Sequence, residues 1–333
     1  MEISNIVNYY GKMHTPYQGD LVNHLPMGQL AVYKLTQDLS KTKSYSELYN
    51  ENKSINKVSN FFEKVNSLEK NLGERESYEP ALAFLEDKMT HDNAEYYIKK
   101  MLNEYPLGMS SGLFHVLIRL AYAYEGYKID SGYLPELRRA VAYYVTAYRE
   151  AHKFSRKIKK ENIIKETKDL YKSESVKKVL SKKNSLGQKM KALYEDKSYM
   201  EKGFIIEGDT DEKLEAVLNL SLNSYLNSKS IVALHCITGT HALIVLKDFQ
   251  KDFGRNIDIL TSCIVTHLIA SELGDYKIPP LDSYDLNWED LNRGIEKEND
   301  VHAVKLAYTA QELNKIFPDK RHMLSAANRS NRT

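Results

Sequence analysis

Ten histidines punctuate this 333-residue chain, and six of them lie in apolar stretches with helical spacing. His24 falls in Val22-Asn-His-Leu-Pro26, His115 in Gly112-Leu-Phe-His-Val-Leu-Ile-Arg119, and His235 in Val232-Ala-Leu-His-Cys-Ile237. His241 follows in Gly239-Thr-His-Ala-Leu-Ile244, His267 in Ile264-Val-Thr-His-Leu-Ile269, and His302 in Asp300-Val-His-Ala-Val-Lys305. The other four, His14, His91, His152 and His322, occupy polar, loop-like surroundings. A buried imidazole needs a partner for each ring nitrogen, and a helix interior offers few free backbone groups. Convergence on one cation would supply the missing partners, and imidazole suits zinc, iron, copper and nickel. The alternative is that each histidine is a core residue satisfied separately.

Helical phase narrows the set. His302 and Lys305, three positions apart, share one face of a helix. His235 and His241 are separated by about 240° at 3.6 residues per turn, so both are not expected on one ion. Asp300 and Glu298, just ahead of His302, are either carboxylate ligands or helix caps. His91-Asp92 resembles the dipeptide of a metal phosphohydrolase but fits a helix N-terminus better. Arg119, one turn after His115, is placed to orient a substrate acid or to form a surface salt bridge. Among other motifs, the sequence holds no Gly-rich phosphate loop, no dinucleotide fingerprint, no nucleophile elbow, no H-E-x-x-H and no di-iron E-x-x-H pair.

Four segments, in order along the chain, resemble the questin oxidase-like family. They are Asn23-His-Leu-Pro-Met27, Gly112-Leu-Phe-His-Val-Leu-Ile-Arg-Leu-Ala-Tyr-Ala123, Leu234-His-Cys-Ile-Thr-Gly-Thr240 and Asp300-Val-His-Ala-Val-Lys-Leu306. Together they cover His24 to Tyr308. The family includes enzymes of fungal anthraquinone metabolism, described as Baeyer–Villiger oxidases or as non-heme iron dioxygenases. The resemblance implies a metal site of His24, His115, His235 and His302, with Lys305 as a carboxylated ligand. It also implies Fe(II) as cofactor, and O2 and a small aromatic or polyketide-like substrate as partners. Lysine can serve only if modified, because an ammonium has no lone pair and repels a dication. Burial favours the neutral amine, which can capture CO2 as an anionic carbamate; otherwise Lys305 reaches solvent or pairs with a carboxylate. His241 and His267 fall outside the family pattern and are expected as supporting donors, pocket residues or substitute ligands. Arg119, Tyr122 and His241 are the candidates for contact with substrate, and Tyr124, Tyr143, Tyr144, Tyr148 and Tyr308 for further wall residues. Relative to the fungal pattern the chain is shorter, has histidine at position 241 in place of an apolar residue, and carries a Lys-rich excursion.

The elements that would position these residues read as helices. None of the eight prolines lies between Pro135 and Pro279, so helices can run uninterrupted there. Spacings of three and four recur over Gly112–Tyr127, Leu134–Tyr148, Leu214–Leu226, Ile231–Phe249 and Ile257–Leu273. No hairpin signal of the Asn-Gly or Asp-Gly type separates alternating runs. The expectation is an all-α fold forming one helical domain over 1–333. Ser44 with Glu47, and Asp209–Asp211, mark helix starts. Pro279-Pro280 ends the run before it, a last helix spans about Asn299 to Asn314, and the polar tail from Arg321 is expected to fray. Between His152 and Lys202 lysines interleave with acids, the pattern of solvated helices and loops on the rim of the domain.

A net charge of +2 gives no bulk attraction for nucleic acid or an anionic membrane. Two cysteines cannot build a disulfide framework. Met1–Tyr10 lacks a secretion signal, and no apolar run approaches the roughly 20 residues of a membrane span, so a cytoplasmic protein is expected. The functional expectation is a metal-dependent oxidoreductase, a non-heme iron dioxygenase or monooxygenase. Two alternatives stand beside it: an NADPH-dependent Baeyer–Villiger-type oxidase lacking a nucleotide fingerprint, and a non-catalytic helical binding protein with a structural zinc.

Overall fold

Each run whose apolar residues recur at three and four contains a helix. A computed structural model describes residues 2–18, 21–53, 55–59, 65–275 and 286–329. The first third holds α1 (Ile3–Gly11), α2 (Leu25–Thr36), α3 (Leu39–Asn52), α4 (Tyr78–Lys88) and α5 (Ala94–Glu104). Next come α6 (His115–Ile129) and α7 (Leu134–Thr146), then four short helices, α8 (Ile163–Lys172), α9 (Glu174–Leu180), α10 (Leu186–Glu195) and α11 (Lys197–Lys202). The last third holds α12 (Thr210–Ser228), α13 (Ile231–Val245), α14 (Phe253–Ala270), α15 (Trp288–Asn292), α16 (Val301–Ile316) and α17 (Lys320–Arg329). Strand among the described residues is confined to two small pairs. β1 (Tyr17–Gln18) runs antiparallel to β2 (Leu21–Val22), and β3 (Arg156–Ile158) parallel to β4 (Phe204–Ile206). Buried side chains from α1 to α17 join one hydrophobic core, so the fold is all-α.

Four helices make the frame of the site. α2 packs against α6 and α16, and α13 packs against the same two, which closes a ring of four. Each carries one of the four histidines at or near its N-terminal end. Local sequence explains the starts. Asn23 accepts the Leu25 N–H through Oδ1 at 3.0 Å while Pro26 has no N–H to satisfy, so α2 opens directly after His24. Ser230 Oγ takes the Val232 N–H at 3.2 Å to open α13, and Asp300 Oδ1 takes the His302 N–H at 2.9 Å to open α16.

Several sequence expectations need correction. Ser44 does not start a helix; it lies inside α3, which Asp38 caps by accepting from Ser40 and Lys41. Asp209 does form the expected capping box with Glu212. The run from Gly112 is not helical at its start, because Gly112, Leu113 and Phe114 all have positive φ and α6 begins at His115. As far as Arg329 the tail from Arg321 does not fray. It forms most of α17, whose His322, Leu324, Ala326 and Ala327 are buried against α12 and α16. The charged segment 152–202 is mostly exposed or half-buried, and a few buried side chains tie it to the core: Phe154, Ile163, Val176, Leu193 and Tyr199, with Tyr199 donating to Thr266 Oγ1 at 2.9 Å. Each of its helices is short, so its apolar residues fall in groups of two to four between charged ones, as with Ile163, Ile164 and Leu170 on α8. Pro279-Pro280 lies outside the described residues.

Candidate metal centre

His24, His115, His235 and His302 each offer one ring nitrogen to a common point, and these four atoms lie within 4.8 Å of one another. His24, His115 and His235 are buried and His302 nearly so. What the outward-facing nitrogens do decides the chemistry of the inward-facing ones. Nδ1 of His24 meets the Val22 carbonyl at 2.5 Å, and Nδ1 of His235 meets the Ile231 carbonyl at 2.7 Å. Nδ1 of His115 bonds the Gly112 carbonyl, and Nδ1 of His302 meets Asp300 Oδ1 at 3.1 Å. Carbonyl and carboxylate oxygens only accept, so each of these rings must carry its proton on Nδ1, leaving a lone pair on Nε2.

The consequence is electrostatic. His24 Nε2 and His115 Nε2 are 2.6 Å apart, and His115 Nε2 and His235 Nε2 are 3.0 Å apart. With both protons spent elsewhere, no hydrogen bond can hold either pair together, and lone pair faces lone pair. Protonating a ring would relieve this, but burial pushes His24, His115 and His235 well below the ordinary imidazole range. His302 is lowered by burial too, against the opposing bond to Asp300. A metal cation resolves the conflict. One cation would accept these Nε2 lone pairs together, since all four ligand atoms lie within 4.8 Å of one another. The outward bonds to carbonyls and a carboxylate are the arrangement that orients metal-bound imidazoles and raises their basicity. The residues present therefore fit a metal.

Lys305 stands one turn after His302 on α16 and is fully buried. Its Nζ has no hydrogen-bond partner, and burial brings its pKa down to about 7. A buried ammonium without a partner is costly, so the interior favours the free amine, the form that reacts with CO2. Asp300 completes the setting. Burial alone would raise its carboxyl, but the bonds from His302 hold it down to about 2. Its other oxygen pairs with Arg329 at 2.6 Å, so Asp300 serves as cap and outer support, and Glu298 accepts the Asp300 N–H at 3.0 Å.

A cavity of about 420 Å³ reaches the four imidazoles, within the range of small-molecule sites. Tyr49 and Tyr143 are among its walls. Tyr49 also accepts the His24 backbone N–H through its hydroxyl at 3.1 Å, and burial raises its pKa to about 12, so it stays a neutral phenol. Of the tyrosines expected as walls only Tyr143 lines this cavity; Tyr49 carried no sequence signal beyond its type.

The remaining candidates lie elsewhere. Arg119 does not line the cavity and is not on the surface. Its Nε and Nη2 hold Glu136 Oε1 at 2.9 and 2.8 Å in the interior, and Arg139 shares the same carboxylate. Tyr122 and His241 both pack edge-on against Tyr308, in a second buried group, with ring centroids 5.6 and 5.7 Å from it. Tyr308 donates to Glu125 Oε1 at 2.5 Å. The separation of His235 from His241 is the one that helical phase requires. His267 bonds the Cys263 carbonyl at 2.8 Å and lines a neighbouring cavity. His322 is buried on α17, not in a loop. His91 opens a short turn with a capping box from Thr90, as expected of a helix start.

Among the described residues no helix is long and apolar enough to cross a membrane. Compared with models of protein families and with curated proteins, the chain matches none.

Proposed function

We propose that this chain is a metal-dependent oxygenase or oxidase of the questin oxidase-like kind, using iron and O2 on a small aromatic or polyketide-like molecule. The observation that carries the proposal is the set of four imidazoles that spend their N–H groups on outward acceptors and turn bare nitrogens on one another. The ordered sequence segments supply the choice of iron and O2, since the donor set itself also suits zinc, copper or nickel. A cavity at the imidazoles favours a reactive centre over a structural zinc, which is usually closed on all sides. Bound iron would supply the one-electron chemistry that lets O2 react with an organic molecule.

The chain's own residues prepare that chemistry. Val22, Gly112 and Ile231 carbonyls and the Asp300 carboxylate fix four tautomers, so no donor must lose a proton before binding a cation. Lys305, carboxylated, would add one anionic oxygen donor and halve the charge of a dication among neutral imidazoles. Tyr143 and Tyr49 would hold an aromatic ring in the cavity and keep water from it.

The test is metal analysis of the wild-type protein and His235→Ala, both purified without a histidine tag, followed by oxygen uptake with a panel of phenolic aromatics. Stoichiometric iron that disappears in the variant, together with substrate-dependent uptake, is the expected result. A folded wild-type protein that takes up no metal overturns the proposal. Tightly held zinc with no oxygen uptake would replace it with the structural reading.

A further inference from the structure

The mouth of the metal cavity carries an uneven charge. Lys53, Arg75 and Arg149 line it and are exposed, while Asp300 is its sole acidic group among the described residues. Asp300 is already committed to His302 and to Arg329. The three cations are not so committed. Arg149 places Nη1 on the Gly73 and Tyr148 carbonyls at 2.7 and 2.6 Å, which aims the guanidinium, and among the described residues no carboxylate pairs with it. Arg75 stands over the Tyr17 ring at 5.3 Å, and among the described residues no carboxylate pairs with it.

A second feature has the same sign. The cavity is walled by the first turns of four helices, through His24, His115, Ile231 and Val301. Each N-terminal end contributes partial positive charge. A bound cation among neutral imidazoles would add more. A neutral substrate would leave this field unanswered, and a cationic one would be repelled.

We infer that the substrate of this site is an anion, bearing a carboxylate or an ionised phenol that Arg75 and Arg149 hold at the mouth while its body lies against the imidazoles. The inference rests on the metal-centre reading for what the body of the substrate meets, and on the charged mouth for the rest. Planar, bidentate recognition of an oxyanion is what guanidinium groups do best.

The experiment uses matched probes that differ in charge: naphthoate against naphthamide, and para-nitrophenolate against para-nitroanisole. Each is titrated by calorimetry into wild type, Arg75→Gln and the double variant Arg75→Gln/Arg149→Gln, with metal content measured on the same samples. The wild-type protein is expected to prefer at least one anion over its neutral partner by about tenfold, a preference that weakens as salt is raised. The pair that shows it tells carboxylate from phenolate. Arg75→Gln should lower the preference several-fold, and the double variant should abolish it. Arg75 is exposed and its side chain makes no hydrogen bond among the described residues, so the single variant keeps the test valid if the double variant unfolds. No preference in either pair, no binding of any probe, or a preference that survives both substitutions overturns the inference. If metal is bound but charge is ignored, the inference falls and the metal centre stands. If no metal binds but the anion preference appears and needs the arginines, the metal reading falls and the anion site stands.

Discussion

Removing the metal should soften the whole protein, and the size of the effect can be worked out. The Nε2 lone pairs of His24 and His115, and of His115 and His235, face each other at 2.6 and 3.0 Å with no proton between them. Nothing in the unfolded chain reproduces that site, so binding energy appears as folding energy. Free metal held at about a thousand times its dissociation constant adds about 4 kcal/mol to stability. A chain of 333 residues has an unfolding entropy of about 0.7 kcal/mol/K near its melting temperature. The melting temperature should therefore rise by about 6 °C on loading and fall by as much on chelation. Scanning calorimetry on chelated and reloaded protein, with metal content verified by plasma mass spectrometry, measures it. His235→Ala should melt at the same temperature with and without metal. Two results would refute the reasoning. Loaded and stripped wild type could melt together, or His235→Ala could still respond, which would put the ion elsewhere.

Other perturbations test the supports separately. Lys305→Met removes a buried amine that has no partner. It should raise the stability of the metal-free protein by about 1–3 kcal/mol while weakening metal binding, as read by denaturant melts and metal titration; equal losses in both would show that the amine has a structural partner. Asp300→Ala frees His302 Nδ1 and uncaps α16. It should cost about 10–100-fold in metal affinity, and unchanged affinity would remove Asp300 from the site. Burial holds His322 and His267 at about 4, whereas the unfolded chain titrates near the ordinary imidazole value of about 6.5. Between those values the unfolded state binds protons that the fold refuses, so stability falls as pH drops through that window. His322→Gln should flatten this acid limb by about 3 kcal/mol at most, and melts of variant and wild type across the range decide it.

How much could be read from the sequence varies with the range of the interaction. His302 with Lys305, and His235 apart from His241, followed from helical phase alone, because a helix fixes relative direction over a few residues. That His24 and His115 come within 2.6 Å could not be read that way. The contact spans 91 positions and depends on α2 and α6 packing in one ring with α13 and α16. Only the resemblance nominated that set. Arg119 misled for a physical reason: one turn after His115 on a buried helix, it points to Glu136 of α7 rather than to the site. Tyr122 misled similarly. Tyr is favoured in cavity walls and in helix cores alike, and nothing local separates the two. Arg75 and Arg149 show no signal at all, since their use is set by where the ends of distant segments meet.

The backbone just before His115 ties these levels together. Gly112, Leu113 and Phe114 all take left-handed φ, at 57°, 60° and 64°, and each non-glycine residue held there costs roughly 1 kcal/mol. The offset comes from Phe114, fully buried against the His267 ring at 4.9 Å, where it gains the burial of a large apolar side chain, about 1.5–3 kcal/mol. Its place exists because Gly239, one turn after His235 on α13, has no side chain: a Cβ there would come within 2.8 Å of the Phe114 ring. Once Phe114 is anchored, the turn brings the Gly112 carbonyl back onto His115 Nδ1, and that bond fixes which nitrogen faces the other imidazoles. One glycine on α13 thus sets the tautomer of a histidine on α6. The strain in the turn is the local conflict expected where packing serves a site rather than stability alone.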